Sequence, residues 1–160
     1  MNYNEQMMCE RQADLFELSQ TMFSCGSSFF IARYMYSDVA KDLDKVDDYY
    51  NYISPNNIVS ILSRLYPSLN IERGQKYPVS VLRWMGYIYR AYNIIKKLSS
   101  HKIYKYIKAE QMLSLYDSFH TFSAEYCVDR LEEIIKVNLT EEKDDYKIFK
   151  QEVLSIEKAE

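Results

Sequence analysis

The chain has 160 residues, 48% hydrophobic and 27% charged, with three Gly, three Pro and a formal net charge of −3. Its length is that of one ordinary domain and its composition is that of a folding chain, which excludes a disordered or collagen-like protein. Three widely spaced cysteines, Cys9, Cys25 and Cys127, give neither a disulfide framework nor a Cys-based zinc pattern, and no apolar run approaches the roughly 20 residues of a membrane span.

So few helix breakers favour long helices over a many-turned β-protein. A globule of this size buries roughly 70% of its unfolded surface, so neither metal nor disulfide is needed for stability. The first residues carry acids and no basic segment ahead of an apolar run, so no secretory signal is expected and the protein reads as cytoplasmic. Charge is unevenly spread. Residues 1–63 hold four Lys/Arg and nine Asp/Glu, a net of −5. Residues 64–108 hold ten and one, a net of +9. Residues 109–160 hold six and thirteen, a net of −7.

Glu5 to Met22 has Met8, Leu15, Phe16, Leu18 and Met22 at helical spacing. Ser24-Cys25-Gly26 interrupts it, and Ser27 or Ser28 can cap a second helix. The stripe Ile31, Tyr34, Met35, Val39, Leu43 and Val46 predicts that helix to run through to a solvated end at 41–45, followed by a loop over Asp47–Asn51. Ser54-Pro55 starts a third helix, with a cap followed by Pro in the first turn, and Ile58, Ile61, Leu62 and Leu65 carry it to Pro67. Residues 67–77 form the main internal loop. Tyr77-Pro78 then opens the central helix, 79–98, which is apolar on nearly every face and therefore buried on most sides. Gly86 within it predicts close approach of a neighbouring helix.

Ser99-Ser100 ends the central helix or caps a short one carrying Ile103, Tyr104 and Ile107. Glu110 to Tyr116 is helical and Asp117 to Phe122 is a turn. Ser123 caps a helix of Tyr126, Cys127, Leu131, Ile134 and Ile135. Thr140, followed by Glu141 and Glu142, caps a separate last helix over 138–160, expected to dock loosely because its apolar stripe is thin. The expected fold is all-α, a single compact domain over 1–160 of seven or eight helices around 79–98.

Arg83, Tyr87 and Arg90 share one face of the central helix at i, i+4 and i+7. An arginine on so apolar a helix must meet solvent, a carboxylate or a bound anion. Arg90 is expected to be held by an internal carboxylate, with Asp38 nominated, while Arg83 is freer to meet a partner. Trp84 is a structural anchor. A second reading comes from aromatic residues of 84–106 interleaved with lysines, Lys102 and Lys105 among them, as on single-stranded nucleic-acid surfaces. The acidic flanks are expected to neutralise much of that charge, leaving nucleic-acid binding weak.

His101 and His120 stand beside no nucleophile and acid in a recognisable pattern. The adjacent acid pairs 132–133, 141–142 and 144–145 read as solvated faces. No catalytic set, metal site or cofactor is expected, although a small enzyme with an unrecognised site remains a third reading.

The segment Trp84-Met85-Gly86-Tyr87-Ile88-Tyr89-Arg90-Ala91-Tyr92 resembles the central motif of a family of small, functionally uncharacterised helical bacterial proteins. Ile103-Tyr104-Lys105, His120-Thr121-Phe122-Ser123 and the stretch from Phe30-Ile31-Ala32-Arg33-Tyr34-Met35 to Ser37-Asp38-Val39-Ala40 fit the same pattern, so the resemblance covers about residues 25–135. The chain departs from the pattern at Tyr92, where a tryptophan is expected. The resemblance implies genes that sit beside toxin-like genes, hence an antitoxin-like or accessory partner of another bacterial protein, such as a cognate toxin. It implies no chemistry for individual residues. Together these observations lead us to expect a non-enzymatic protein-interaction module.

Overall fold

A computed structural model of the chain describes residues 1–45 and 52–159. The expected loop at Asp47–Asn51 and the stripe residue Val46 lie outside the described residues. The fold is all-α, as expected. Among the described residues there are eight α-helices: α1 (Tyr3–Met22), α2 (Ser27–Met35), α3 (Asp38–Leu43), α4 (Pro55–Leu65), α5 (Val79–Lys96), α6 (Ser100–Tyr106), α7 (Ala109–Phe119) and α8 (Ala124–Ala159). No helix is long and apolar enough to cross a membrane, among the described residues.

Several boundaries differ from the expectation, each for a local reason. The predicted helix through 27–46 breaks into α2 and α3 at Ser37. The Ser37 hydroxyl donates to the Tyr34 carbonyl at 2.6 Å and accepts from the Ala40 amide at 3.1 Å, closing one helix and capping the next. The central helix ends two residues early because Lys97 takes a left-handed conformation, φ 55°. Helix α7 runs on to Phe119 through half of the expected turn. Ser123 does cap α8, its hydroxyl accepting from the Tyr126 amide at 3.2 Å. Thr140 caps nothing. Its hydroxyl bonds back to the Lys136 carbonyl at 2.9 Å, inside one continuous helix.

The chain divides into two compact units, Met1–Val128 and Asp129–Glu160. The first is built on the pairing of α1 with α5, the most extensive helix contact in the molecule. Gly86 makes it possible. A Cβ added there would lie 2.6 Å from the Gln12 carbonyl oxygen and 2.9 Å from the Phe16 ring. Phe16 in turn meets Phe30 and Tyr34 edge-on, at centroid distances of 5.5 and 5.6 Å. The 67–77 segment is no free loop. A short 3₁₀ turn, Pro67–Asn70, leads into a clasp with the start of α2. The Cys25 amide donates to Leu69 at 3.1 Å, the Ser27 amide to Gln75 at 2.8 Å, and the Gly26 amide to Arg73. A Cβ on Gly26 would meet the Arg73 carbonyl oxygen at 2.6 Å, so the clasp needs glycine there.

The second unit is α8 from Asp129 onward, a single helix with a charged surface and exposed apolar side chains on more than one face.

Replacement Gly86→Ala tests the central contact. A bare helix would gain from it, but here the methyl group has no space, and overpacking of this kind costs about 1–3 kcal/mol. We expect a lower midpoint in denaturant at an unchanged slope. A midpoint equal to the parent's would rule out the close approach.

Candidate functional site

Helix α5 carries the candidate residues and sends them in two directions. Arg90 points into the core, where 2% of its side chain is exposed. Its Nη1 donates to Asp44 Oδ1 at 2.8 Å, to Asn93 Oδ1 at 3.0 Å and to the Leu43 carbonyl at 3.1 Å. Its Nε and Nη2 both donate to Gln12 Oε1, at 3.1 and 2.7 Å. The same oxygen accepts from the Tyr34 hydroxyl at 2.8 Å, while Gln12 Nε2 donates to the Gly86 carbonyl at 2.8 Å. Only this orientation of the amide presents its oxygen to three donors and its nitrogen to a carbonyl. Asp44 is filled from the other side by the Ser100 hydroxyl at 2.6 Å and the Ser100 amide at 2.8 Å.

The carboxylate that holds Arg90 is therefore Asp44, and the nominated Asp38 is not in the network. Asp38 is the first residue of α3 and is exposed there. The break at Ser37 turns α3 so that its far end, not its start, reaches Arg90. Beside the guanidinium lies a cavity of about 20 Å³, bounded by Gln12, Tyr34, Leu43 and Ile58 among others. It is far too small for a substrate. This cluster joins five helices and holds the fold.

Arg83 points the other way, toward the outer edge of α1. It does not stand free as expected. Its Nη1 donates to Asp14 Oδ1 and Glu17 Oε2, both at 2.6 Å, and Nη2 to Glu10 Oε2 at 3.1 Å. The guanidinium is 34% exposed and the three acids more so. Those carboxylates, Asp14 foremost, raise its pKa and keep it charged. Solvent screens such pairs, each worth about 0–1 kcal/mol.

Next to Arg83 a groove of about 280 Å³ is lined by Glu10, Ala13, Trp84, Tyr87, Ile88, His120, Phe122 and Ala124. Trp84 is half-buried rather than fully enclosed, and its indole nitrogen is buried without a hydrogen-bond partner. Its ring meets Tyr116 edge-on at 5.6 Å, and Tyr116 stacks on His120 at 4.5 Å. His120 Nδ1 sits 2.8 Å from the Tyr116 carbonyl, to which it donates, leaving Nε2 on the outer side of the ring. Phe122 is exposed and meets Tyr126 at 4.7 Å. Three of the sequence candidates, Arg83, Trp84 and Tyr87, thus share one surface. Arg90 is separated from them, and Lys102 and Lys105 lie elsewhere, exposed on α6.

Compared with family models, with curated proteins and with solved structures, the chain matches none.

Other chemistry-bearing groups are quenched by burial. Desolvation pushes the Cys9 thiol up to about 12, and raises Cys25 and Cys127 as well. Burial likewise raises the hydroxyls of Tyr34 and Tyr89 and pushes Tyr104 up to about 12. A thiol with a raised pKa is protonated at neutral pH and is a poor nucleophile. Among the described residues, no group of three or more His, Cys, Asp or Glu is placed to hold a metal ion.

Sequence reasoning missed Gln12, Asp44, Asn93 and Ser100 in the buried cluster, and Glu10, His120 and Phe122 in the groove. Gln12 was detectable, since it shares the inner stripe of α1 with Cys9, Ala13 and Phe16. A polar amide on such a stripe needs an internal partner.

Two measurements follow from this geometry. Arg90→Ala removes one member of a buried pair and strands Asp44, a loss of about 3–5 kcal/mol, whereas Arg83→Ala should cost about 1 kcal/mol. Thermal unfolding of both variants checks the order, and equal losses would contradict it. Separately, a thiol-specific disulfide reagent at pH 8 should find almost no reactive cysteine in the folded protein and three after denaturation. Fast reaction of the native chain would show that the thiols are not buried in their raised-pKa state.

Proposed function

We propose that the protein is a non-enzymatic helical interaction module, an antitoxin-like or accessory partner of another bacterial protein, working in the cytoplasm. The observation that supports this reading is the surface groove lined by Arg83, Trp84, Tyr87 and Phe122. Large aromatic and arginine side chains are the types that dominate binding energy at protein interfaces. The groove offers no activated nucleophile, which favours recognition over turnover.

The nucleic-acid reading is the weaker one. Of the ten cations between residues 64 and 108, Arg83 is held by three acids and Arg90 by Asp44. Arg73 lies over the Phe29 ring and Lys105 over the Tyr106 ring. The exposed cations, Arg64, Arg73, Lys76, Lys97 and Lys108 with Lys102 and Lys105, are spread over several segments, and Lys102 and Lys105 make a short strip on α6.

Affinity capture from native cells, with nuclease treatment, tests the proposal. Trp84→Phe trims the aromatic wall of the groove, and Tyr87→Ala opens it. Both should fold as the parent does by circular dichroism and lose the captured protein by about tenfold or more, the equivalent of one interface anchor. Full retention by both variants would refute the groove as the binding surface. Capture that depends on nucleic acid and vanishes in Lys102→Glu/Lys105→Glu would put the basic strip in its place.

A further inference from the structure

A second surface lies on the outer side of α2, where that helix meets the end of α4 and the clasp segment. Arg33 lies over the Tyr66 ring, its guanidinium carbon 4.7 Å from the centroid. Arg73 lies over the Phe29 ring at 4.4 Å. Phe29 and Arg33 are one helical turn apart on α2, so the two pairs stand side by side. Both arginines are exposed and both rings are half-buried. The backbone under each is fixed. Arg33 belongs to α2, and the Arg73 carbonyl accepts from the Gly26 amide while Gln75 accepts from the Ser27 amide at 2.8 Å.

A ring draws a guanidinium by its charge and offers no lone pair to its N–H groups. Among the described residues, neither of these side chains donates a hydrogen bond and neither meets a carboxylate. Arg83 and Arg90 differ in this respect, since three acids hold the first and Asp44 the second. The charge of the surrounding segments is one-sided. Helices α2 and α4 with residues 66–77 carry Arg33, Arg64, Arg73 and Lys76 against Glu72 alone, a net of +3 in a chain of net −3. A guanidinium held in place presents a planar fork, and a fork of N–H donors matches the two oxygens of a carboxylate. Two forks side by side match two carboxylates spaced along one chain. Nucleic acid fits less well. The arginines cover the ring faces on which bases would stack, and four cations make a short track for a phosphate backbone. We propose that this face binds an acidic segment of a partner polypeptide, with carboxylates seated on Arg33 and Arg73. Pairs this exposed are individually weak, so the contact is reversible and sensitive to salt. It uses none of the groove residues and stands apart from the function proposed above.

Fluorescence anisotropy of a labelled, end-blocked peptide of alternating glutamate and serine, titrated with the full chain up to about 1 mM, tests this. The expected result is saturable binding that weakens as salt rises from about 0.01 to 0.15 M, where the screening length falls from about 30 to 8 Å. Arg33→Glu/Arg73→Glu should weaken it by about tenfold or more with the helical spectrum unchanged. Arg33→Lys/Arg73→Lys keeps the charge but loses the planar forks, and should weaken binding severalfold. Lys102→Glu/Lys105→Glu makes the same charge change elsewhere and should leave it as it was. No binding at low salt would overturn the proposal. So would lysine variants that bind like the parent, or an equal loss in the α6 variant, since either would reduce the site to diffuse charge. A single-stranded RNA of the same net charge that binds more tightly through Arg33 and Arg73 would make the face a nucleic-acid surface and overturn it equally.

Discussion

One guanidinium group organises the first unit. Burying Arg90 removes a permanent charge from water, a cost that the chain offsets with a carboxylate, a carbonyl and two side-chain amides. These come from α1, the end of α3 and α5 itself, while Ser100 completes the carboxylate from α6. The helices must therefore meet at one place, because any other arrangement leaves a buried charge or amide unpaired. Apolar burial supplies the larger share of stability, but it tolerates many packings. The Arg90 cluster tolerates few.

The contact between α1 and α5 combines both kinds of constraint at adjacent residues. Gly86 lets the backbones approach, and its carbonyl receives the Gln12 side chain at 2.8 Å. Gln12 then turns its oxygen to Arg90, one turn further along α5. Shape and polarity are thus settled at a single crossing. The same helix keeps a second pair of roles apart by position. One end of its polar face enters the core, while Arg83 and Tyr87 reach the surface beside Trp84. A buried anchor at one end of α5 holds rigid the helix that supplies Arg83, Trp84 and Tyr87 to the groove.

The acidic, basic and acidic segments gain their meaning in three dimensions. The first segment supplies Glu10, Asp14 and Glu17 to Arg83, and Asp44 to Arg90. Two of the ten basic residues between 64 and 108, Arg83 and Arg90, are paired when α5 lies on α1. Arg64, Arg73, Lys76, Lys97, Lys102, Lys105 and Lys108 stay exposed, so the acidic flanks neutralise less of the segment than its charge pattern predicts.

Most of the helices are legible along the chain, because their periodicity, scarce glycine and proline, and the caps at Ser54, Ser99 and Ser123 are local signals, whereas the break at Ser37 and the continuity of α8 through Thr140 are not. Gly86 is equally legible as a close contact, since a glycine inside a strong helix is costly without one. Which carboxylate meets Arg90 is not. Asp38 and Asp44 lie six residues apart, and the choice turns on the Ser37 break, where one hydroxyl serves two helices. Tertiary structure also decided that Arg83 is paired, that Trp84 lines a groove, and that His120 and Phe122 stand beside it. Those residues come from segments far apart in the chain, and no pattern along a single helix encodes the angle at which another helix crosses it.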